Sequence, residues 1–511
     1  MTLAMTLRKA TGLAIATVAT AALLSAQAPV KYQATWESLK QYQAPEWYKD
    51  AKFGIFLHWG VYAVPAFDNE WYPHSMYVKY EIVNGKPANE ESEVFKYHRE
   101  KYGPQSKFGY KDFIPMFKAE KWNPEAWAEL FKKAGARYVV QVAEHHDGFA
   151  MWASKETPYN AKDMGPHRDL VGDLSKAVRS AGMKYGVSDH DAYNWRYYTY
   201  ADDYDTNDPK YAALYSPKHP RSEPASKAFL DNYFAREREL IDGYHPDVLW
   251  IEGWDAPEFV PYRQQIGAYY YNAAENWGGV GVLNYKGKNF PEGTAVLDLE
   301  RGKLDYIRNM VWQTDTSISL KSWGYIANDD FRTPHALVND LVDIVSKNGV
   351  LLLNVGPRAD GTIPDEAQKI LLEIGKWLRV NGEAIYGTRP WKVFGEGPEH
   401  KIEAFHEPND SVFTAEDIRF TKKGSRLYAI VLDWPGEQLI VKSLASGSKL
   451  EARPVASVQL LGSKEALKWA QDPDGLKIQL PQAKPCDYAY AFRIGFKQQP
   501  TVGKPTSGAT Q

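Results

Sequence analysis

The sequence predicts an α/β fold, a (β/α)8-type barrel followed by a C-terminal antiparallel β-sandwich, on three observations. From Phe53 to about Val355 a short apolar run is followed repeatedly by a polar loop and a helix-period segment, the pattern of parallel βα units. No Gly-rich phosphate loop follows the first run, which favours a closed barrel over an open doubly wound sheet. Beyond Trp391 the periodicity changes to two, the alternation of half-buried strands.

Eight barrel strands are expected: Phe53–His58, Tyr138–Ala143, Lys184–Ser188, Val248–Glu252, Val280–Asn284, Ala295–Glu300, Val311–Thr316 and Val350–Asn354. Helices alternate with them. Asn123 is placed to cap one starting at Pro124, with Trp127, Leu130 and Phe131 on one face and Gly135 at its end. Thr333-Pro334 starts another, which runs through Leu337, Leu341, Ile344 and Val345 to a left-handed stop at Asn348-Gly349. In the second domain Leu476–Leu480 alternates clearly, as do Tyr490, Phe492, Ile494 and Phe496. Arg426–Leu432 and Gln438–Lys442 flank a Pro435-Gly436 turn and are expected to form a hairpin.

A chain of 511 residues exceeds what one core organises, so two domains are expected. The formal net charge of −3, from 61 basic and 64 acidic residues without a like-charge block, argues against nucleic acid as a partner. Arg8 and Lys9 precede an apolar stretch from Leu13 to Leu24 and the small residues Ser25-Ala26-Gln27-Ala28, a secretory signal pattern too short for a bilayer span. The expected organisation is a signal peptide over 1–28, a catalytic barrel over 29–390, a β-sandwich over 391–497 and a Gly/Pro/Ser/Thr-rich disordered tail over 498–511. The mature protein is expected in the periplasm or outside the cell, with no membrane attachment after cleavage. Cys486 is the only cysteine, so no internal disulfide can form. The sequence permits a homo-oligomer.

In a parallel barrel the catalytic groups sit at the C-terminal ends of the strands. There the sequence places His58, then Glu144, His145, His146 and Asp147, then Asp189 and His190, then Glu252 and Glu300. Glu252 and Glu300 both follow apolar runs, so they are expected to face the barrel mouth from different strands. Two such carboxylates are what glycoside hydrolysis requires, one attacking or activating water and one protonating the leaving oxygen. The plainer alternative is a pair of salt bridges, for Glu300 with Arg301 or Lys303.

The motifs are also recognisable, and the chain resembles the α-L-fucosidases of glycoside hydrolase family 29 along most of its length. The resemblance rests on Trp47 to Gly60 (WYKDAKFGIFLHWG), Glu70-Trp71-Tyr72, His145 to Phe149 (HHDGF), Tyr244 to Trp250 (YHPDVLW), Ser322 to Tyr325 (SWGY) and the run from Leu341 through Asn354 to Gly356-Pro357. It implies a fucosylated oligosaccharide or glycoconjugate as substrate and a retaining, exo-acting hydrolysis without metal or cofactor. It implies that Glu252 is the nucleophile and Glu300 the general acid/base, that His58, Glu70, Trp71, His145 and His146 hold sugar hydroxyls, and that Trp250 and Trp323 line the sugar. Lys286 joins the substrate-binding set, at a position where many relatives carry Arg. Three further departures stand out: Glu252 replaces the usual Asp, Glu144 stands where many relatives have Lys, and Gln313 stands where a Glu is often found. Gly253 is expected to let the backbone accommodate the longer side chain at 252.

Three other readings compete. A metal hydrolase would use His58, His145, His146 and Asp189, although adjacent histidines converge only if the chain turns there. A carbohydrate-binding protein with impaired catalysis would keep the pocket without turnover. A glycosidase for another α-L-sugar would use the same fold.

Overall fold

The computed structural model describes residues 31–252, 255–400 and 410–497. The expected signal segment, the expected tail and Gly253 lie outside the described residues. Eight parallel strands close a barrel: β1 (Phe53–Leu57), β2 (Tyr138–Glu144), β3 (Lys184–Asp189), β4 (Val248–Ile251), β5 (Val282–Lys286), β6 (Val296–Asp298), β7 (Trp312–Ser317) and β8 (Gly349–Val355). Each neighbours the next, and β8 returns to β1 through Phe53↔Leu351 to Leu57↔Val355. Buried on both faces, β1, β2, β4 and β8 read as continuous apolar runs, which is why the sequence located them closely. The fifth strand lies two residues later than expected, because its end carries a cation, Lys286, that hydropathy does not score as strand.

The helices between the strands are α1 (Pro124–Lys133), α2 (Leu170–Ser180), α3 (Lys227–Tyr244), α4 (Val260–Asn276), α5 (Pro334–Ser346) and α6 (Asp365–Asn381). Asn123 Oδ1 accepts from Ala126 N at 2.9 Å, and Thr333 Oγ1 from Ala336 N at 3.2 Å, so both expected caps form. Asn348 takes the left-handed conformation that stops α5, with φ of 73°. Regular alternation fails at two places. No helix follows β5 or β6, whose connections are loops punctuated by Gly287, Pro291, Gly293 and Gly302.

The C-terminal domain holds β9 (Arg389–Glu396), β10 (Ile418–Lys423), β11 (Arg426–Val431), β12 (Gln438–Val441), β13 (Val455–Leu460), β14 (Trp469–Asp472), β15 (Gly475–Gln479) and β16 (Tyr490–Phe496). A five-stranded antiparallel sheet in the order β9-β10-β11-β16-β13 faces a three-stranded one, β12-β15-β14, across a core that includes Phe420, Val431, Val441, Ile478 and Phe492. The expected hairpin around Pro435-Gly436 does not form. Strand β11 pairs with β10 and β16, whereas β12 pairs with β15, so this turn carries the chain from one sheet to the other and both runs still bury their apolar side in the shared core. The outer face of the large sheet joins the barrel's core through Tyr428, Ile430 and Ala491, and Trp377 of α6 donates to Ala489 O at 2.7 Å. No described helix is long and apolar enough to cross a membrane.

Candidate active site

The C-terminal strand ends bring the expected polar residues together. His58 follows β1, and its backbone N–H and Nδ1 both face Asn354 Oδ1 on β8, at 3.0 and 2.8 Å. Asn354 donates its amide to Ser317 Oγ at 2.9 Å and to Trp323 O at 2.7 Å, so its oxygen must be the acceptor. His58 therefore carries its proton on Nδ1 and leaves Nε2 as an acceptor toward the mouth.

His145 and His146 follow β2, and the chain does turn there: Gly148 N donates back to His145 O at 3.2 Å, and the two rings lie 4.4 Å apart. His146 Nδ1 bonds His190 O at 2.8 Å, whereas His145 Nδ1 is buried without a hydrogen-bond partner. Burial pushes His58 and His146 down to about 3 and holds His145 and His190 well below the usual imidazole range, so the four rings are neutral. A neutral ring offers one donor and one acceptor, which matches a sugar hydroxyl.

Glu70 and Trp71 lie in the loop after β1. Glu70 Oε2 accepts from Trp323 N at 2.8 Å and Ser322 Oγ at 3.2 Å, joining that loop to the one after β7. Burial raises the Glu70 carboxyl above its ordinary range. Trp71 sits 5.2 Å from the His146 ring, and Trp323 sits 5.1 Å from the His58 ring with the Arg301 guanidinium 4.8 Å from its own ring centroid. Gly324 is a close approach, since a Cβ there would lie 2.9 Å from the Tyr62 ring.

The centre of the site is Lys286, at the end of β5. Its ammonium contacts Glu252 Oε2 at 2.9 Å and Glu300 Oε2 at 2.5 Å. These two legs together cap the separation of the two carboxylate oxygens at 5.4 Å. Burial works against the ammonium, but Glu252 and Glu300 outweigh it and hold Lys286 well above the ordinary lysine range. Both carboxylates keep an open side, 23% exposed for Glu252 and 26% for Glu300. Glu252 N still donates to Asp189 O at 3.0 Å, extending the barrel ladder one residue past β4. Asp255, the other acidic residue nearby, is 66% exposed and faces Arg263 at 4.0 Å.

Trp250 is fully buried beneath these groups, 4.9 Å from the His190 ring and 5.1 Å under Lys286 Nζ, so it forms a floor below the polar groups. The sequence places His190 at the mouth without giving it a substrate role, and it gives Asn354 no role beyond the last-strand run. His190 Nδ1 reaches Glu252 Oε2 at 3.7 Å, and its place directly after β3 was the available signal. One ligand atom each from His58, His145 and His190 lie within 4.8 Å of one another, a set that could hold a metal. The combination His58, His145, His146 and Asp189 is not a group that converges in this way among the described residues; one Asp189 oxygen accepts from Asp191 N at 2.7 Å and the other is buried without a hydrogen-bond partner.

A sequence profile described as Alpha-L-fucosidase matches residues 19–383, and one described as Alpha-L-fucosidase C-terminal domain matches 409–495. The chain belongs to the α-L-fucosidase family. The family is glycoside hydrolase family 29, and this member is a glycoside hydrolase. Tissue alpha-L-fucosidase of Homo sapiens is 34% identical over 484 residues, 92% of this chain and 93% of its own. Alpha-L-fucosidase of Branchiostoma floridae is 32% identical over 492 residues, 92% and 97%. The crystal structure of Thermotoga maritima alpha-fucosidase superposes with a TM-score of 0.72 at 34% identity, covering 91% of this chain and 100% of that one. The same enzyme in complex with a mechanism-based inhibitor gives 0.73.

The residues that the sequence sets apart as departures have local partners. Glu144 is ion-paired with the buried Arg236 of α3. Gln313 donates its amide to Asp298 and accepts from Tyr48 OH and Tyr138 OH, each at 2.8 Å. Lys286 bridges the two carboxylates.

Proposed function

We propose that this chain is an exo-acting, retaining α-L-fucosidase that removes terminal α-L-fucosyl residues from oligosaccharides or glycoconjugates through a glycosyl-enzyme intermediate. The observation that carries the reading is the Lys286 bridge. With Oε2 of each carboxylate on one ammonium, these two oxygens are no more than 5.4 Å apart, which supports the roughly 5–5.5 Å carboxyl spacing of retaining enzymes over the roughly 6.5–9.5 Å of inverting ones.

In the first step Glu252 attacks the anomeric carbon and forms an ester, while Glu300 gives its proton to the departing glycosidic oxygen. In the second, Glu300 takes a proton from water, whose oxygen attacks the same carbon and releases Glu252. One carboxylate is ionised at each stage, first Glu252 and then Glu300. Lys286 stands against both, so it can compensate the charge wherever it resides. His58, His145, His146 and Glu70 surround the sugar's hydroxyls, and Trp71 and Trp323 supply apolar walls for its ring and methyl group. The same reading includes export of the mature enzyme.

Turnover of 4-nitrophenyl α-L-fucoside, followed by NMR, tests it. The expected first product is the α-anomer of fucose. First appearance of the β-anomer overturns retention, binding without release of nitrophenol overturns hydrolysis, and faster turnover of another α-L-glycoside overturns the substrate.

A further inference from the structure

Strands β4 and β6, which precede Glu252 and Glu300, are not neighbours: β5 lies between them. Across the barrel interior they are nevertheless joined. Trp250 Nε1 donates to Asp298 Oδ2 at 2.8 Å. Trp250 stands two positions before Glu252 and Asp298 two positions before Glu300, the interval at which side chains along a strand share a face. The carboxylate of Asp298 also accepts from Gln313 Nε2, and its other oxygen from Asp315 N at 3.1 Å. The Asp298 carboxylate sets the orientation of the Gln313 amide, because it can only accept, and the hydroxyls of Tyr48 and Tyr138 then donate to the amide oxygen on the other side. A buried line of donors therefore runs from the two tyrosines through Gln313 to Asp298, and from the opposite side through Trp250. All five side chains are buried. Asp298 is also the register neighbour of Lys286 across β5–β6, and the Trp250 end of the tie lies under the Lys286 ammonium, 5.1 Å from it.

We propose that Asp298 is a positioning residue that sets the spacing of Glu252 and Glu300 by tethering Trp250, and that position 313 is an amide because it must donate to Asp298. The proposal rests on the reading of Glu252 and Glu300 as the reacting pair. It gives a reason for Gln313: Asp298 already shares its buried surroundings with the carboxyl of Asp315, so a carboxylate at 313 would add a third acid where the amide supplies a donor. Asp298 touches no reacting atom; it acts through Trp250, whose ring underlies Lys286 and His190.

The test is a swap. Asp298→Asn removes one acceptor and sets an amide donor against Trp250 or Gln313; kcat is expected to fall roughly 10- to 100-fold, with KM changed by less than about threefold. Gln313→Glu alone is expected to lower kcat comparably. The double variant Asp298→Asn/Gln313→Glu exchanges donor and acceptor while the two tyrosines can still donate, and is expected to recover kcat to within about threefold of wild type. Trp250→Phe, which deletes the donor and keeps a ring, covers the case in which Asp298→Asn does not fold, and is expected to lower kcat with an unchanged KM. Wild-type kcat in folded Asp298→Asn or in Trp250→Phe, or a double variant no better than its singles, overturns the proposal. Trapping wild type with a 2-deoxy-2-fluoro-fucosyl fluoride keeps this separate from the reading beneath it. An adduct on Glu252 leaves that reading standing whatever the swap shows, and an adduct elsewhere sinks it.

Discussion

Two groups of carboxylates gather round a single cation in this barrel, and they differ in access to water. Around Lys286 stand Glu252 and Glu300, each about one quarter exposed. Around Arg236 stand Glu144 and Asp191, with Asp189 and Glu237 beside them, all fully sealed. The open set can exchange protons with substrate and solvent. In the sealed set burial raises every acid: Asp189 is pushed up to about 8, first by desolvation and then by Asp191, and Glu144 and Glu237 rise well above the carboxylate range. The open pair is accessible to substrate and solvent, whereas in the sealed set burial favours the protonated acids and the Arg236 charge opposes it at Glu144 and Asp191.

The comparison breaks first at the open set. Glu252→Gly is expected to lose about 10⁴-fold or more in turnover and to be partly rescued by azide, while Asp255→Ala, already turned to solvent, keeps most of its activity. Rescue of the Asp255 variant instead, with a fully active Glu252→Gly, would reassign the nucleophile. Glu300→Ala is expected to slow poor leaving groups by roughly 10²- to 10⁴-fold and activated aryl fucosides less, read from kcat/KM across a leaving-group series.

The sealed set is expected to answer in stability. Arg236→Met removes the one cation within hydrogen-bonding reach of Glu144 and should cost about 3–5 kcal/mol in denaturant unfolding. That loss should be smaller at acid pH, where the acids are protonated. The last variant, Asp189→Asn, is read from the shape of the pH profile. A folded-state value near 8 against about 3.9 unfolded means the native state binds the extra proton between those limits. The stabilisation is complete below the unfolded value and is lost as pH rises through the folded one. Asp189→Asn should therefore flatten the decline of Tm between about pH 4 and pH 8, and an unchanged Tm profile across that window would show that Asp189 does not titrate there.

The barrel was legible because parallel strands buried on both faces need continuous apolar runs, and β1, β2, β4 and β8 have them. What escaped was decided by partners distant in sequence. Lys286 is placed in the site by resemblance, but its bridge between Glu252 and Glu300 depends on strand ends 34 and 14 positions away and is visible only in the fold. The missing helices after β5 and β6 follow from Gly and Pro in connections too short to repeat the pattern. The turn at Pro435-Gly436 has the composition of a hairpin, and only the pairing of β12 with β15 reveals that it changes sheets. In the site, the histidines and Glu252 were recognisable from motif and strand end. Asp298 was not, since a lone acid inside a short apolar run gives no sign of the indole and amide that face it.

The polar filling of the barrel interior by Tyr48, Tyr138, Asn284, Asp298 and Gln313 also bears on how the protein meets temperature. Unfolding wets these phenol, amide and carboxyl groups, and hydration of polar surface lowers the heat-capacity increment that apolar surface raises. A barrel packed instead with Val, Ile and Leu layers would gain a larger increment for the same volume. The free-energy curve of this domain is correspondingly broader, so its stability changes less per degree on either side of its maximum.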